Sequence, residues 1–286
     1  MSNSDKAPSA IARVRTIRSD SFEVRRESVV VEEPLEIRIS GDGSDTNLAV
    51  TMRTPGSDLE LAAGFLWGEG VIRSPDQLIG VKVCGDRTLT PRQRANVVIA
   101  TLSPEAAKIS RHLERRFTIS SACGVCGSTS LTDLHDRGVT QVSMTPHSVS
   151  KLAAMTSLLD GRQKIFESTG GLHAAGLVDP SGDLQFVRED VGRHNAVDKV
   201  VGAALMAGLL PLSGWTLVVS GRIGYEIAQK AVAGGISALV GVSAPTSLAV
   251  ELAREFGLTL LAFARGGVAN QYAPATDGSD VQQESE

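Results

Sequence analysis

Aromatic residues are scarce in this chain: two Trp, two Tyr and seven Phe among 286 residues. Its core must therefore be built from Val, Leu, Ile and Ala. A hydrophobic content of 42% is enough for one large or two medium domains. A basic excess is also missing. Lys and Arg number 28 against 32 Asp and Glu, a net charge of −4, which argues against a general nucleic-acid binder. No apolar run approaches the ~18 residues that span a bilayer. Met1 to Ala10 carries no apolar stretch of the kind a secretion signal needs. The expectation is a cytoplasmic protein without a membrane partner. Cysteine is limited to Cys84, Cys123 and Cys126. In a reducing compartment these are thiols, metal ligands or catalytic groups more readily than disulfides.

What is present divides the chain. Residues 1–20, rich in Ser, Ala and Arg, read as a flexible arm, and the acidic residues 273–286 as a disordered tail. Residues 21–118 predict an α+β domain. Leu48, Val50 and Met52 alternate with polar neighbours as a strand does, and Ser57 with Glu60 has the form of a capping box opening a helix. Asn96–Leu102 predicts a further strand, and Ser103-Pro104-Glu105 opens a second helix. Residues 119–147, small and Gly-rich, read as a mobile loop carrying two of the cysteines. From 148 to 272 a hairpin is followed by alternating helices and strands. That pattern predicts a three-layer α/β domain with a parallel sheet.

The sharpest chemical signal is Cys123-Gly124-Val125-Cys126-Gly127. Two thiols three positions apart can share a metal, cycle as a disulfide, or exchange a sulfane sulfur. The thiolate is the reactive form, and at a pKa of ~8.5 only about 3% is present at pH 7. Lowering that pKa by two units requires about 2.7 kcal/mol of preferential stabilisation of the anion. Backbone N–H groups of a Gly-rich turn can contribute to it. Structural zinc needs four ligands, and no second Cys-x-x-Cys or His pair is present. A redox pair usually sits at a strand-to-helix junction, which this one does not. A carrier thiol fits these features best, although two ordinary loop cysteines remain a competing reading. Cys84, following Val81 and Val83, reads as a small strand residue.

A second signal lies in three loops after proposed parallel strands, two of them Gly-bearing: 220–224, 243–246 and Arg265-Gly266-Gly267. Ligands of open α/β sheets bind outside those strand ends. Gly221, Gly266 and Gly267 allow close backbone approach, and Arg222 and Arg265 offer paired donors to phosphate. The third signal is Glu167–His173 together with Arg188–Asn195, dense in His, Glu, Asp and Arg. His173 alone would more often be a satisfied core histidine, and Asp190 a helix cap. Arg193 and His194 face either ligand or solvent on this reading.

Together the segments EEPLEIRI (32–39), SACGVCG (121–127), FESTGGLHAAGL (166–177), REDVGRHNAVDKVVG (188–202), SGRIGYEIAQKA (220–231) and FARGG (263–267) resemble the FdhD family of formate dehydrogenase accessory sulfurtransferases. The resemblance implies a sulfur carrier loaded by a cysteine desulfurase. The carrier would pass sulfur to a molybdenum cofactor, bis-molybdopterin guanine dinucleotide, before that cofactor enters formate dehydrogenase. It implies a persulfide on Cys123, with Cys126 as the second cysteine. Phe263, Ala264, Arg265, Gly266, Gly267 and Val268 would contact the cofactor, and GDP would be a partial mimic. It further implies a cytidine-deaminase-like fold for the C-terminal half, without the deaminase zinc signature, and a homodimer. Gly221, Arg222, His173, Arg193 and His194 are added to the cofactor-binding set from the residues themselves. Rival readings are a non-catalytic cofactor chaperone and a Cys-x-x-Cys thiol oxidoreductase.

Overall fold

The computed structural model describes residues 7–18, 21–41, 45–113 and 131–273. Cys123, Cys126, residues 119–130 of the expected loop at 119–147 and the tail beyond Ala273 lie outside these residues.

The chain opens with an antiparallel hairpin of β1 (Ser9–Arg18) and β2 (Ser21–Val30). Over Ser9–Arg18 this corrects the expected arm at 1–20. Half-buried Ala12, Val14 and Thr16 alternate with exposed Ile11, Arg13, Arg15 and Ile17, a period of two that the Ser and Arg content disguises. Arg15 lies 4.9 Å from the Phe22 ring centre, a cation–π contact between the two strands.

β3 (Glu33–Ser40), β4 (Asp45–Arg53), β5 (Leu78–Val83) and β6 (Val97–Leu102) form a sheet in the order β4-β3-β6-β5. Leu35, Ile37 and Ile39 turn one face of β3 inward. On β4 the predicted alternation fails at a bulge opposite Ile37 and Arg38. Leu48 and Ala49 are both buried there, while Val50 is 47% exposed. Cys84 is buried with Val97 and Ile99, as a small packing residue should be.

α1 (Asp58–Gly68) covers this sheet, with Leu61 and Ala62 against Leu35, Ile37 and Val98. The capping box expected from Ser57 and Glu60 does not form. Ser57 takes a left-handed φ of 56°, so its hydroxyl caps nothing. Glu60 is committed to Arg188 at 2.6 Å instead. Asp58 receives two bonds of 2.9 Å from the fully buried Arg53, which also donates to Asn96 Oδ1 at 3.0 Å. The short α2 (Pro91–Arg94) lies before β6, and α3 (Pro104–Leu113) follows it.

Residues 131–147 also depart from the expected mobile loop. α4 (Leu131–Asp136) buries Leu134 in the main core. The Val142 N–H donates to the Phe256 carbonyl, and the Ser143 hydroxyl meets those of Ser213 and Ser237.

The C-terminal half contains α5 (Val149–Ala154), α6 (Lys164–Thr169), β7 (His173–Val178), β8 (Leu184–Asp190), α7 (Arg193–Met206), β9 (Thr216–Val219), α8 (Tyr225–Ala233), β10 (Ala238–Gly241), α9 (Ser247–Glu255), β11 (Thr259–Arg265) and β12 (Val268–Ala273). Its sheet runs β12-β11-β10-β9-β7-β8. β9, β10 and β11 are parallel, joined by helical crossovers. β7 is antiparallel to β9 and β12 to β11, so the sheet is mixed rather than parallel. The physical reason is the short turns at both flanks, two residues between β11 and β12 and five between β7 and β8, because connections this short reverse the chain. At the β7–β8 turn, burial alone would raise the Asp179 carboxyl. Donors from Ser181, Asp183 and Gln185 hold it down to about 2.

Leu217, Val219, Leu239 and Leu260 face α7, α8 and α9. Val178, Val218, Val240 and Leu261 face Leu152, Met155 and Leu159 on the other side, which completes three layers. α1 rests directly on α7. A Cβ on Gly64 would lie 1.9 Å from the Asp198 carbonyl oxygen, and one on Gly202 would lie 1.9 Å from that of Glu60. The two backbones therefore touch, and the halves of the chain share one core.

Candidate functional site

Strand direction collects the site. β7 runs antiparallel to β9, so its first residue, His173, lies at the same edge as the carboxyl ends of β9, β10 and β11. At that edge a cleft of about 620 Å³ is lined by His173, Ser220, Val242, Ala264, Arg265 and Gly266. Its opposite wall comprises Thr156, Ser157, Asp160, Gln163, Phe166, Gly170 and Gly171. Thr156 fastens that wall by donating to the Ala264 carbonyl at 3.2 Å. Glu189 seats α6 beside the cleft by accepting the N–H groups of Ile165 and Phe166 at 3.1 and 2.8 Å.

The expected glycine loop at 263–268 has a more specific form. Gly266 and Gly267, with φ of 58° and 80°, make the two-residue turn between β11 and β12. Positive φ at both turn positions is the geometry that matches the twist of a hairpin. Phe263 takes a left-handed φ of 54° at a break in the β11–β12 register, and its N–H donates to the Ser243 carbonyl at 3.3 Å. A non-glycine residue there costs of order 1–3 kcal/mol and is a feature of functional sites. Phe263 and Val268 are 48% and 72% exposed, and Val268 begins β12. Phe263, Gly267 and Val268 do not line the cleft.

The three loops predicted to form one pocket are only partly brought together. Loops 220–224 and 243–246 meet through the Ile223–Pro245 bridge and the Ile223 N–H to the Ala244 carbonyl. The residues that reach the cleft are Ser220 and Val242, at the strand ends. Gly221 lies under His173. A Cβ there would meet the imidazole Nδ1 at 3.1 Å and the Arg193 Cβ at 3.7 Å. Burial first, then the nearby Arg193, His194 and Arg222, lower the His173 pKa below its usual value. His194 Nε2 stands 3.5 Å from Glu226 Oε2, and its proximity lowers the Glu226 carboxyl.

The density of charge in 188–199 separates into two jobs. Most of it stitches the halves together. Asp190, fully buried, accepts from the N–H groups of Thr54 and Gly192 and pairs with Lys199 at 2.6 Å. Asn195 donates to the Met52 carbonyl and to Asp190, and Lys199 donates to the Thr54 carbonyl. Lys230 lies 2.8 Å from Asp198 and 3.3 Å from Glu69. Burial raises the Asp198 carboxyl to about 6, against the opposing pull of Lys230. Arg193 has no such commitment and stands beside His173, whereas His194 is paired with Glu226.

Cys123 and Cys126 lie outside the described residues, so their distance from the cleft is not part of this geometry. Among the described residues, no cluster of three or more His, Cys, Asp or Glu is arranged to hold a metal. No helix among them is long and apolar enough to cross a membrane.

Known proteins of the same build are recognisable. The chain is 46% identical over 264 residues to the "Sulfur carrier protein FdhD" of Streptomyces avermitilis, covering 91% of this chain and 92% of that protein. It is 45% identical to the protein of the same description from Mycobacterium tuberculosis, covering 92% and 96%. A crystal structure described as a formate dehydrogenase accessory protein, from Desulfotalea psychrophila, superposes with a TM-score of 0.72. It covers 94% of this chain and 98% of the other at 22% identity, a likeness of fold. Residues 30–277 match the FdhD/NarQ family of sequences. The chain therefore belongs to the FdhD/NarQ family.

Proposed function

We propose that this protein is a cytoplasmic sulfurtransferase that carries sulfur as a persulfide on Cys123 to a molybdenum cofactor destined for formate dehydrogenase. The observation that carries the reading is the pairing of a Cys-x-x-Cys motif with an anion-friendly cleft, in a chain whose relatives are described as sulfur carriers. The Cys123 thiolate attacks the outer sulfur of a cysteine desulfurase persulfide. One S–S bond forms, the other breaks, and the desulfurase thiolate departs. Release of the carried sulfur as sulfide requires two electrons. Attack by the Cys126 thiolate on the inner sulfur supplies them, leaving a Cys123–Cys126 disulfide and a sulfide for the metal. The C-terminal half is read as cytidine-deaminase-like, on the strength of its hairpin followed by β-α-β-α-β, and the protein as a homodimer.

The cleft holds the substrate, bis-molybdopterin guanine dinucleotide, with a guanine nucleotide end at the turn. Gly266 and Gly267 present backbone N–H groups there, and Arg265 supplies a cation. Incubation with a cysteine desulfurase and cysteine should add the mass of one sulfur atom to the peptide containing Cys123. A protein that binds GDP but gains no sulfur would be a cofactor chaperone instead. Arg265→Ala should weaken GDP in a calorimetric titration by about 10- to 150-fold, the equivalent of ~1.5–3 kcal/mol for a hydrogen bond to a charged group. Equal affinity in the variant would remove the nucleotide from this turn.

A further inference from the structure

His173 and Arg265 stand at opposite ends of the cleft, on β7 and β11, with β9 and β10 between them. Three strand spacings separate them, about 14 Å. The His173 end has its own chemistry. The Arg193 Nε is buried without a hydrogen-bond partner. Neither the Arg222 guanidinium nor the His173 ring has a hydrogen-bond or ion-pair partner among the described residues. Two helices begin beside them, α7 at Gly192 and α8 at Gly224. Neither has a side-chain cap, so their first N–H groups add positive potential. Gly221 leaves room where a Cβ would press on His173. The acids nearby are already engaged: Asp190 by Lys199 and Asn195, Glu226 by His194.

We infer that His173, Arg193, Arg222 and the backbone at Gly221 form a second anion subsite that takes a tetrahedral oxyanion. The anion is a phosphoryl group or the oxo-metal end of a long ligand whose nucleotide lies at Gly266. This rests on the cleft being a ligand site and adds where the far end is held. The subsite is preorganised: a half-buried guanidinium whose Nε is shut off from water without a partner gains more from an arriving dianion than one already paired. His173, kept below its ordinary pKa by burial and by these same arginines, reports on occupancy, because a bound dianion offsets their field.

The probes are inorganic phosphate and molybdate, and the readout is the NMR titration of His173, with His135 and His147, which lie away from the subsite, as internal controls. Either ion should move the His173 pKa upward. Tighter molybdate binding marks an oxo-metal end and tighter phosphate binding a phosphoryl end. Arg222→Gln, an exposed substitution, and Arg193→Gln should each weaken the ion roughly 10-fold. Each should also raise the His173 pKa in the absence of ion. Arg265→Gln should weaken GDP yet leave the response of His173 to phosphate in place. A His173 titration unmoved by both ions, in protein that still binds GDP, overturns the subsite and spares the proposed function. A response to phosphate without any GDP binding does the reverse.

Discussion

Cys123→Ala should reduce activation of a client formate dehydrogenase to the level seen without the protein, while Cys84→Ala should leave it nearly intact. The contrast follows from position and chemistry. Cys84 is buried against Val97 and Ile99, and its backbone N–H is held by the Val97 carbonyl, so no desulfurase can reach its sulfur. Cys123 is followed by Gly124 and by a second thiol at Cys126. A thiolate is the only kind of group in that segment that accepts a sulfane sulfur, and alanine at 123 removes the one that receives it, leaving Cys126 with nothing to release. Cys126→Ala should be intermediate: loading proceeds, but release then depends on an external reductant. The assay pairs each variant with the same client and desulfurase and reads formate oxidation. Full activation by Cys123→Ala would end the carrier mechanism. GDP affinity should be unchanged in that variant, which separates loss of sulfur chemistry from loss of the cleft.

Asp58→Ala should destabilise the protein by about 3–5 kcal/mol, the effect of stranding a buried charge by removing its partner. Arg53 is fully buried and makes two 2.9 Å bonds to Asp58. Without that carboxylate it retains the Asn96 side chain at 3.0 Å and Glu33 at 3.9 Å, which places the loss toward the lower end of that range. Arg53→Met, which removes the charge as well and keeps much of the volume, should cost less. Urea unfolding followed by circular dichroism decides between them. A midpoint for Asp58→Ala equal to that of the parent would mean the pair contributes nothing. The junction between β4 and α1 would then depend on packing alone.

Much of the C-terminal half was legible because its periods are clean. The β9-α8-β10-α9-β11 run alternates apolar strands with helices opened by Gly or Thr, and parallel pairing follows from that order. The flanking strands were harder. β12 begins one residue after two glycines and exposes Val268, Asn270 and Gln271, so its sequence looks like a surface loop. β1 and β2 escaped for the opposite reason: a ribbon with little to pack on needs no apolar face, and its alternation is of small against charged residues. Within the site, His173, Arg265 and Gly266 were predictable from strand ends and glycine spacing. The wall from Thr156 to Gln163 was not, because Met155–Leu159 packs as an ordinary core turn while its polar residues line the cleft from an unmarked stretch. The cluster at 188–199 was conspicuous in sequence, but only the burial of Asp190, Asn195 and Lys199 distinguishes stitching from binding.

The glycine contact between α1 and α7 has a consequence for how the protein is made. Gly202 follows Gly64 by 138 positions, so at ribosomal rates α1 waits roughly 7–28 s for the helix that covers it. During that interval Ala63, Leu66 and Trp67, all buried in the finished protein, belong to a nascent chain that lacks α7 and α8, including the Ala233 carbonyl to which Trp67 donates. The four-stranded sheet alone covers Leu61 and Ala62, while Ala63 and Leu66 belong to a core completed by the C-terminal half. Completion of the N-terminal half therefore waits on synthesis of the C-terminal half, and a truncated transcript ending before α7 would yield a sticky fragment rather than a smaller folded unit.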